Sequence, residues 1–70
     1  MEKFKLKEGE AFIELNNLIK MLGWVATGGE AKAVIDQELV KVNGAVETRR
    51  RKKMRVGETA QFEENEVIIE

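Results

Sequence analysis

The chain has 70 residues, enough for one small domain, and its 12 basic residues nearly balance its 13 acidic ones to give a formal net charge of −1. It contains no Cys, His or Ser, which excludes zinc fingers, disulfide frameworks and the usual nucleophile–base pairs of enzymes. Hydrophobic residues make up 43% of the chain, too many for a disordered one, and no apolar run approaches the roughly 18 residues that cross a bilayer. We therefore expect one cytoplasmic domain over residues 1–70, without metal, cofactor or membrane contact.

The first predicted elements are a strand and a helix. Phe4 and Leu6 alternate with lysines, which is typical of a short strand at the edge of a sheet. The stretch around Phe12 and Ile13 fits a strand or a helix equally well. From Leu15 onward the apolar residues recur at helical spacing, which predicts a helix over residues 15–22.

The turn after this helix and the start of the next have clear local signals. Gly23 can adopt the left-handed conformation that ends a helix, and we expect Trp24 to pack the turn against the sheet. Thr27-Gly28-Gly29-Glu30 matches a capping box, in which Thr27 accepts from the Glu30 amide and Glu30 reaches back to Thr27. The apolar spacing then predicts a second helix over residues 28–38.

Beyond Leu39 the period changes to that of strands. Residues 40–42 and 45–47 flank Asn43-Gly44, the strongest signal for a two-residue hairpin turn. Residues 53–56, 59–62 and 66–69 read as three further strands, with Met54 facing inward. The predicted fold class is therefore α+β: two short helices in a helix-turn-helix pair, followed by a small, mostly antiparallel sheet.

Charge is segregated along this chain. Residues 41–55 hold seven basic residues and one acidic residue, a formal charge of +6, whereas the rest of the chain carries −7. The basic run consists of Arg49, Arg50, Arg51, Lys52, Lys53 and Arg55. Because a binding partner feels the local field and not the sum, the near-neutral total does not exclude an anionic partner.

Several motifs together resemble the S-four domain, an RNA-binding domain named after a ribosomal protein. The matching residues are Leu22-Gly23, Glu30-Ala31, Val40-Lys41-Val42-Asn43-Gly44 and Gly57-Glu58, and the resemblance covers about residues 12–62. Thr27-Gly28-Gly29 and the run from Gly44 to Arg49 are similar to the small stand-alone members of that family. Many S-four domains have an arginine where this chain has Gly28-Gly29, and in the stand-alone members the charge moves to the loop after the hairpin.

The resemblance implies the alpha-L motif and binding of structured RNA, with ribosomal RNA as one candidate. We expect the start of the second helix and the basic run after the hairpin to form one face. The candidate RNA-binding residues are Thr27, Gly28, Gly29, Lys32, Lys41, Asn43, Arg49, Arg50, Arg51, Lys52, Lys53 and Arg55. The four aromatic residues are not interleaved with the basic run, which argues against a stacking platform for single-stranded bases.

Other functions stay open at this point. The basic run could dock an acidic protein, in place of RNA or beside it. An enzyme is disfavoured because only Glu and Lys could serve as acid and base, and DNA binding because the second helix is mostly acidic. We expect a monomer, although the edge strand at Phe4 leaves a dimer open.

Overall fold

The structure is a computed structural model that describes residues 1–70, the whole chain. It contains seven short strands and two helices. In chain order they are β1 (Glu2–Phe4), β2 (Ile13–Glu14), α1 (Leu15–Met21), α2 (Gly28–Asp36), β3 (Val40–Val42), β4 (Ala45–Val46), β5 (Lys53–Met54), β6 (Thr59–Phe62) and β7 (Asn65–Ile69).

The strands form two sheets. Five of them pair in the order β1-β7-β6-β3-β4, antiparallel except for β1 and β7, which run parallel with Glu2 opposite Val67. The predicted α+β class and the edge position of the first strand are confirmed. The expected strand over residues 53–56 is only two residues long, and it pairs with β2 in a separate ribbon, Ile13 opposite Met54.

The helix pair follows the local signals closely. α1 ends at Met21 with Leu22 as its C-cap, and Gly23 has a φ of 76°, so the Trp24 amide donates to the Ile19 carbonyl at 3.1 Å and closes the helix end. At the start of α2, Thr27 Oγ1 accepts from the Glu30 amide at 3.1 Å, as predicted. The Glu30 carboxylate, however, accepts from the Ala26 amide at 2.9 Å and not from that of Thr27, so it ties the incoming turn to the helix.

α2 is two residues shorter than predicted. Glu38 adopts a left-handed φ of 63°, and its amide donates to the Ile35 carbonyl at 3.0 Å. The Leu39 amide donates to the Val34 carbonyl at 3.1 Å. This is the hydrogen-bond pattern that usually has glycine at the turning residue, and it directs the chain from α2 into β3.

The core lies between the helix pair and one face of the larger sheet. It comprises 13 hydrophobic residues, drawn from both helices and from β3, β5, β6 and β7, with no buried charged residue among them. Along β3, Val40 and Val42 are buried and Lys41 is exposed, as the alternation predicts. Met54 is fully buried, and Trp24 packs against the core, so both expectations are confirmed. Neither helix is long and apolar enough to span a bilayer.

Candidate functional site

The basic loop, residues 47–52, is fixed by its backbone to the start of α1. The N-cap residue Glu14 makes no side-chain hydrogen bond to the helix, so the first amides of α1 need other acceptors. The Leu15 amide donates to the Lys52 carbonyl at 2.9 Å and the Asn16 amide to the Arg50 carbonyl at 3.1 Å. The loop therefore takes the place of the missing cap, and its backbone is ordered by the helix.

The first arginine of the loop is held by an acidic neighbour. Arg49 donates from Nε and Nη2 to both carboxylate oxygens of Glu47, each at 2.9 Å, and its amide donates to the same carboxylate at 3.0 Å. These bonds lower the pKa of Glu47 to about 2, since they favour the ionised form more than the partial burial opposes it. The guanidinium of Arg49 is thus paired with a carboxylate of the same molecule.

The second arginine reaches the far end of α2. Arg50 Nε donates to Asp36 Oδ1 at 2.9 Å, and Nη2 donates to the other carboxylate oxygen in a bidentate pair. The hydrogen bond from Arg50 holds the pKa of Asp36 below its usual range. This pair fastens the loop to the C-terminal end of α2.

A polar network links the loop to the hairpin turn. Lys52 Nζ donates to Glu58 Oε2 at 2.9 Å, Asn43 Nδ2 donates to the same oxygen at 3.1 Å, and the Arg55 amide donates to the other oxygen at 2.8 Å. Both charged side chains are only about one-fifth exposed, 19% for Lys52 and 21% for Glu58. Burial raises the pKa of Glu58, but the three hydrogen bonds outweigh it and the pKa lies below its usual range.

The remaining cations of the run have no acidic partner. Arg51, Lys53 and Arg55 make no salt bridge and are exposed. They converge with two neighbours on a cavity of about 390 Å³ that has no hydrophobic residue in its wall. We call this cavity the basic cleft, and its lining residues are Arg49, Arg51, Lys52, Lys53 and Arg55.

One aromatic ring does lie beside the basic run, contrary to the expectation from the sequence. Lys53 Nζ stands 5.1 Å from the centre of the Phe12 ring, and the guanidinium carbon of Arg55 stands 5.6 Å from it. Both distances are within the range of cation–π attraction. The two residues meet Phe12 because β5, which begins at Lys53, pairs with β2, which begins next to Phe12.

The predicted residues at the start of α2 lie apart from this cleft. Arg50 binds Asp36 at the C-terminal end of α2, and Gly28 begins the helix about 12 Å away along its axis. Thr27 is used as the helix cap, while Lys32 and Lys41 are exposed without an acidic partner. That the helix start and the basic run share one face stays a prediction, and the contacts of the loop itself are with the start of α1 and the end of α2.

Asn43 has a structural role that its turn position did not reveal. Its φ of 52° and that of Gly44, 86°, confirm the predicted two-residue turn. Its Oδ1 also accepts from the Thr59 amide at 3.0 Å, while its Nδ2 contacts Glu58. The side chain thus joins the turn to β6 and positions the acid that holds Lys52.

The Arg49–Glu47 pair predicts a stability that depends on pH. With a pKa of about 2 in the folded state against an ordinary 4.5, Glu47 contributes stability that is fully present above pH 4.5 and is lost as the pH falls toward 2. We expect Glu47→Gln to lower the Tm at pH 7 by about 5 °C. Melting curves followed by circular dichroism should show this difference narrowing between pH 5 and pH 2.5.

The matched control for this experiment is Glu66→Gln. Glu66 is exposed on β7 and its side chain makes no hydrogen bond or salt bridge, so we expect the Tm of E66Q at pH 7 to stay within a few degrees of the wild type. A difference between wild type and E47Q that stayed constant down to pH 2.5 would contradict the assignment.

Comparisons with known proteins bear on what this cleft binds. A family model described as "S4 domain" matches residues 4–70. YbcJ of Escherichia coli (strain K12) and YbcJ of Shigella flexneri are each 46% identical to this chain over 57 residues, 81% of this chain and 81% of each relative. The solution structure of E. coli YbcJ, described as revealing an alfaL motif involved in RNA-binding, superposes with a TM-score of 0.73 at 40% identity. That match covers 99% of this chain and 86% of YbcJ.

Proposed function

Because the chain belongs to the S4 domain family, we propose that it binds RNA and that the basic cleft is where the phosphates sit. The observation that carries the proposal is the lining of the cleft: five cationic side chains and no hydrophobic or acidic one. Arginine and lysine together suit phosphate oxygens, since guanidinium groups bind them in a fork and ammonium groups act as point charges. The relative YbcJ, with its alfaL motif involved in RNA-binding, supports the same conclusion.

We infer further that the ligand is structured RNA, with ribosomal RNA as one candidate. Folded RNA presents phosphates, 2′-hydroxyl groups and overall shape more readily than the edges of its paired bases. A rigid concave set of cations recognises such features without reading sequence. The ordered backbone of residues 50–52, anchored on α1, supplies this rigidity.

Within the cleft we assign different roles to its members. Arg51, Lys53 and Arg55 are free to bind phosphate directly, since no acid competes for them. Arg49 and Lys52 share their charge with Glu47 and Glu58, so they add to the field and shape the wall. Lys32, Lys41 and the Thr27–Gly29 turn are secondary candidates that an extended RNA would reach outside the cleft.

Salt dependence tests this function. If three to five phosphates are neutralised, the logarithm of the affinity for an RNA hairpin should fall against the logarithm of salt concentration with a slope of about −2.7 to −4.5. Fluorescence anisotropy with a labelled hairpin between 50 and 200 mM salt measures the slope. A slope near zero, or no binding at 50 mM salt, would overturn the proposal.

The same titration separates RNA from an acidic protein partner, the other reading of the basic run. A poly-glutamate peptide of equal charge should displace the hairpin only at a large excess, because carboxylates on a flexible chain do not match the fixed cations of the cleft. Displacement of the RNA by an equal concentration of that peptide would favour the protein-interaction alternative.

A substitution at the end of α2 should strengthen RNA binding. Asp36 occupies the guanidinium fork of Arg50, so Asp36→Asn frees one arginine beside the cleft and adds one positive charge. We expect the Kd for the hairpin at 100 mM salt to fall about threefold to tenfold.

Glu38→Gln is the control for this prediction, because it makes the same change of charge two residues away, at an acid without an arginine partner. Its effect should be smaller, since it releases no guanidinium group. Equal Kd values for D36N and the wild type would show that Arg50 does not reach the RNA.

A further inference from the structure

The ring of Phe12 is partly shielded from solvent, yet it is not part of the core. The partly buried hydrophobic residues that pack against the core include Phe4, Ile13 and Trp24, but not Phe12. The groups that stand over the ring are instead the cations of Lys53 and Arg55. The contacts of this ring with two cations and not with the core indicate a role other than packing.

The covering cations are themselves two of the five residues that line the basic cleft. Phe12 is not among the lining residues, but its ring contacts two of them. The ring therefore lies beside the cleft in which the proposed function puts phosphate groups. Any ligand that draws these two cations sideways uncovers an aromatic face within the cleft.

We propose that Phe12 is a stacking surface for an unpaired nucleobase, flanked by Lys53 and Arg55 on the neighbouring phosphates. This inference rests on the proposed function and narrows it: the preferred ligand is RNA with an unpaired nucleotide, such as a bulge or a loop, and not an uninterrupted duplex. Every nucleobase has a π-face, so the contact selects an accessible base without selecting its identity.

The interaction energies favour replacing the two cations over the Phe12 ring with a nucleobase. A base stacked on an aromatic side chain gains more free energy than a cation held over an exposed aromatic ring. The displaced cations lose nothing further, because the backbone of the same nucleotide supplies phosphates for them. In a duplex the bases are stacked on each other, so the Phe12 ring stays covered by the two cations and adds nothing to the affinity.

The test compares two RNA hairpins that differ by one bulged nucleotide, which carries 2-aminopurine as a fluorescent base. Wild-type protein should bind the bulged hairpin about fivefold to a hundredfold more tightly than the fully paired one, and the fluorescence of 2-aminopurine should change on binding. Phe12→Leu keeps an apolar side chain but removes the π-face. It should bind both hairpins with the affinity that the wild type has for the paired one.

Phe12→Trp is the conservative variant, and it should restore both the preference and the fluorescence change. The slope of affinity against salt should be equal in the wild type, F12L and F12W, because no cation is removed. Melting temperatures by circular dichroism establish that each variant is folded. If F12L does not fold, Phe12→Met, which also removes the π-face, takes its place in the comparison with the wild type on the two hairpins.

The results separate this inference from the proposed function. If the wild type binds both hairpins equally and no fluorescence change occurs, the stacking role is overturned while RNA binding stands. The same conclusion follows if F12L lowers the affinity for both hairpins by the same factor, since Phe12 would then only position Lys53 and Arg55. If the wild type binds neither hairpin, the proposed function itself fails.

Discussion

Reversing the three free charges of the basic cleft should abolish RNA binding. In the variant Arg51→Glu, Lys53→Glu, Arg55→Glu, each attraction to a phosphate becomes a repulsion. We expect the Kd for an RNA hairpin at 100 mM salt to rise at least about a hundredfold. Fluorescence anisotropy measures the change directly.

These three positions suit the experiment better than the consecutive arginines 49–51. Arg49 and Arg50 are bound to Glu47 and Asp36, so reversing them would break two ion pairs and place like charges in contact. Reversing the charges of Arg51, Lys53 and Arg55 breaks no salt bridge within the molecule. The variant should therefore keep its circular dichroism spectrum and melt cooperatively.

The matched control is Lys5→Glu, Lys7→Glu, Lys20→Glu. These lysines are exposed, make no salt bridge and lie outside the cleft, and the variant has the same net charge as the cleft variant. Its affinity should fall only by the weak long-range effect of net charge, severalfold at most at 100 mM salt. Equal losses in the two variants would show that the protein responds to total charge and has no defined site.

Removing Glu58 should cost more stability than removing any other surface acid. The carboxylate accepts from Lys52, from Asn43 and from the Arg55 amide, and it joins the basic loop to the hairpin turn. Glu58→Ala removes the acceptor of all three donors and leaves Lys52, a cation only 19% exposed, with the Lys53 carbonyl alone. We expect the free energy of unfolding to fall by about 2–3 kcal/mol and the Tm by roughly 10–20 °C.

Glu66→Ala serves as its control, since this acid is exposed on β7 and makes no side-chain hydrogen bond. Its Tm should stay within a few degrees of the wild type. Urea titrations at pH 7 give the free energies of unfolding of E58A and E66A. Asn43→Ala should reproduce part of the loss of stability seen in E58A. A Tm for E58A equal to that of E66A would mean that the network is not formed in solution.

The sequence predicted correctly those parts of the fold that depend on residues close together in the chain. The Thr27 cap joins residues three apart, the Asn43-Gly44 turn requires positive φ at both positions, and Gly23 ends a helix by its own conformation. The motif resemblance to the S-four domain, an expectation from the same residues, is confirmed by the family match over residues 4–70. Alternation predicted the strands and the first hairpin, but not the pairing of β1 with β7, of β3 with β6 or of β5 with β2.

The site was harder to predict because its interactions join residues that are distant in sequence. Arg50 and Asp36 are 14 residues apart, and Phe12 lies 41 positions before Lys53. Nothing in the basic run distinguishes the arginines that are neutralised by acids from those that are free. Only the three-dimensional structure shows which cations are paired with acids and which are not. Arg49 and Arg50 are paired, whereas Arg51, Lys53 and Arg55 are free.

The contact between the basic loop and the start of α1 implies a trade-off between stability and binding. The start of a helix is electropositive, and cations placed beside it cost stability, typically about 0.3–1 kcal/mol each at low salt. Here the carbonyls of Arg50 and Lys52 cap that helix start, and Arg51, which lies between them in the chain, has no acidic partner. Substitutions that weaken phosphate binding by the cleft, such as Arg51→Glu, should thus raise the melting temperature. Selection for stability alone would therefore remove cations from the basic loop.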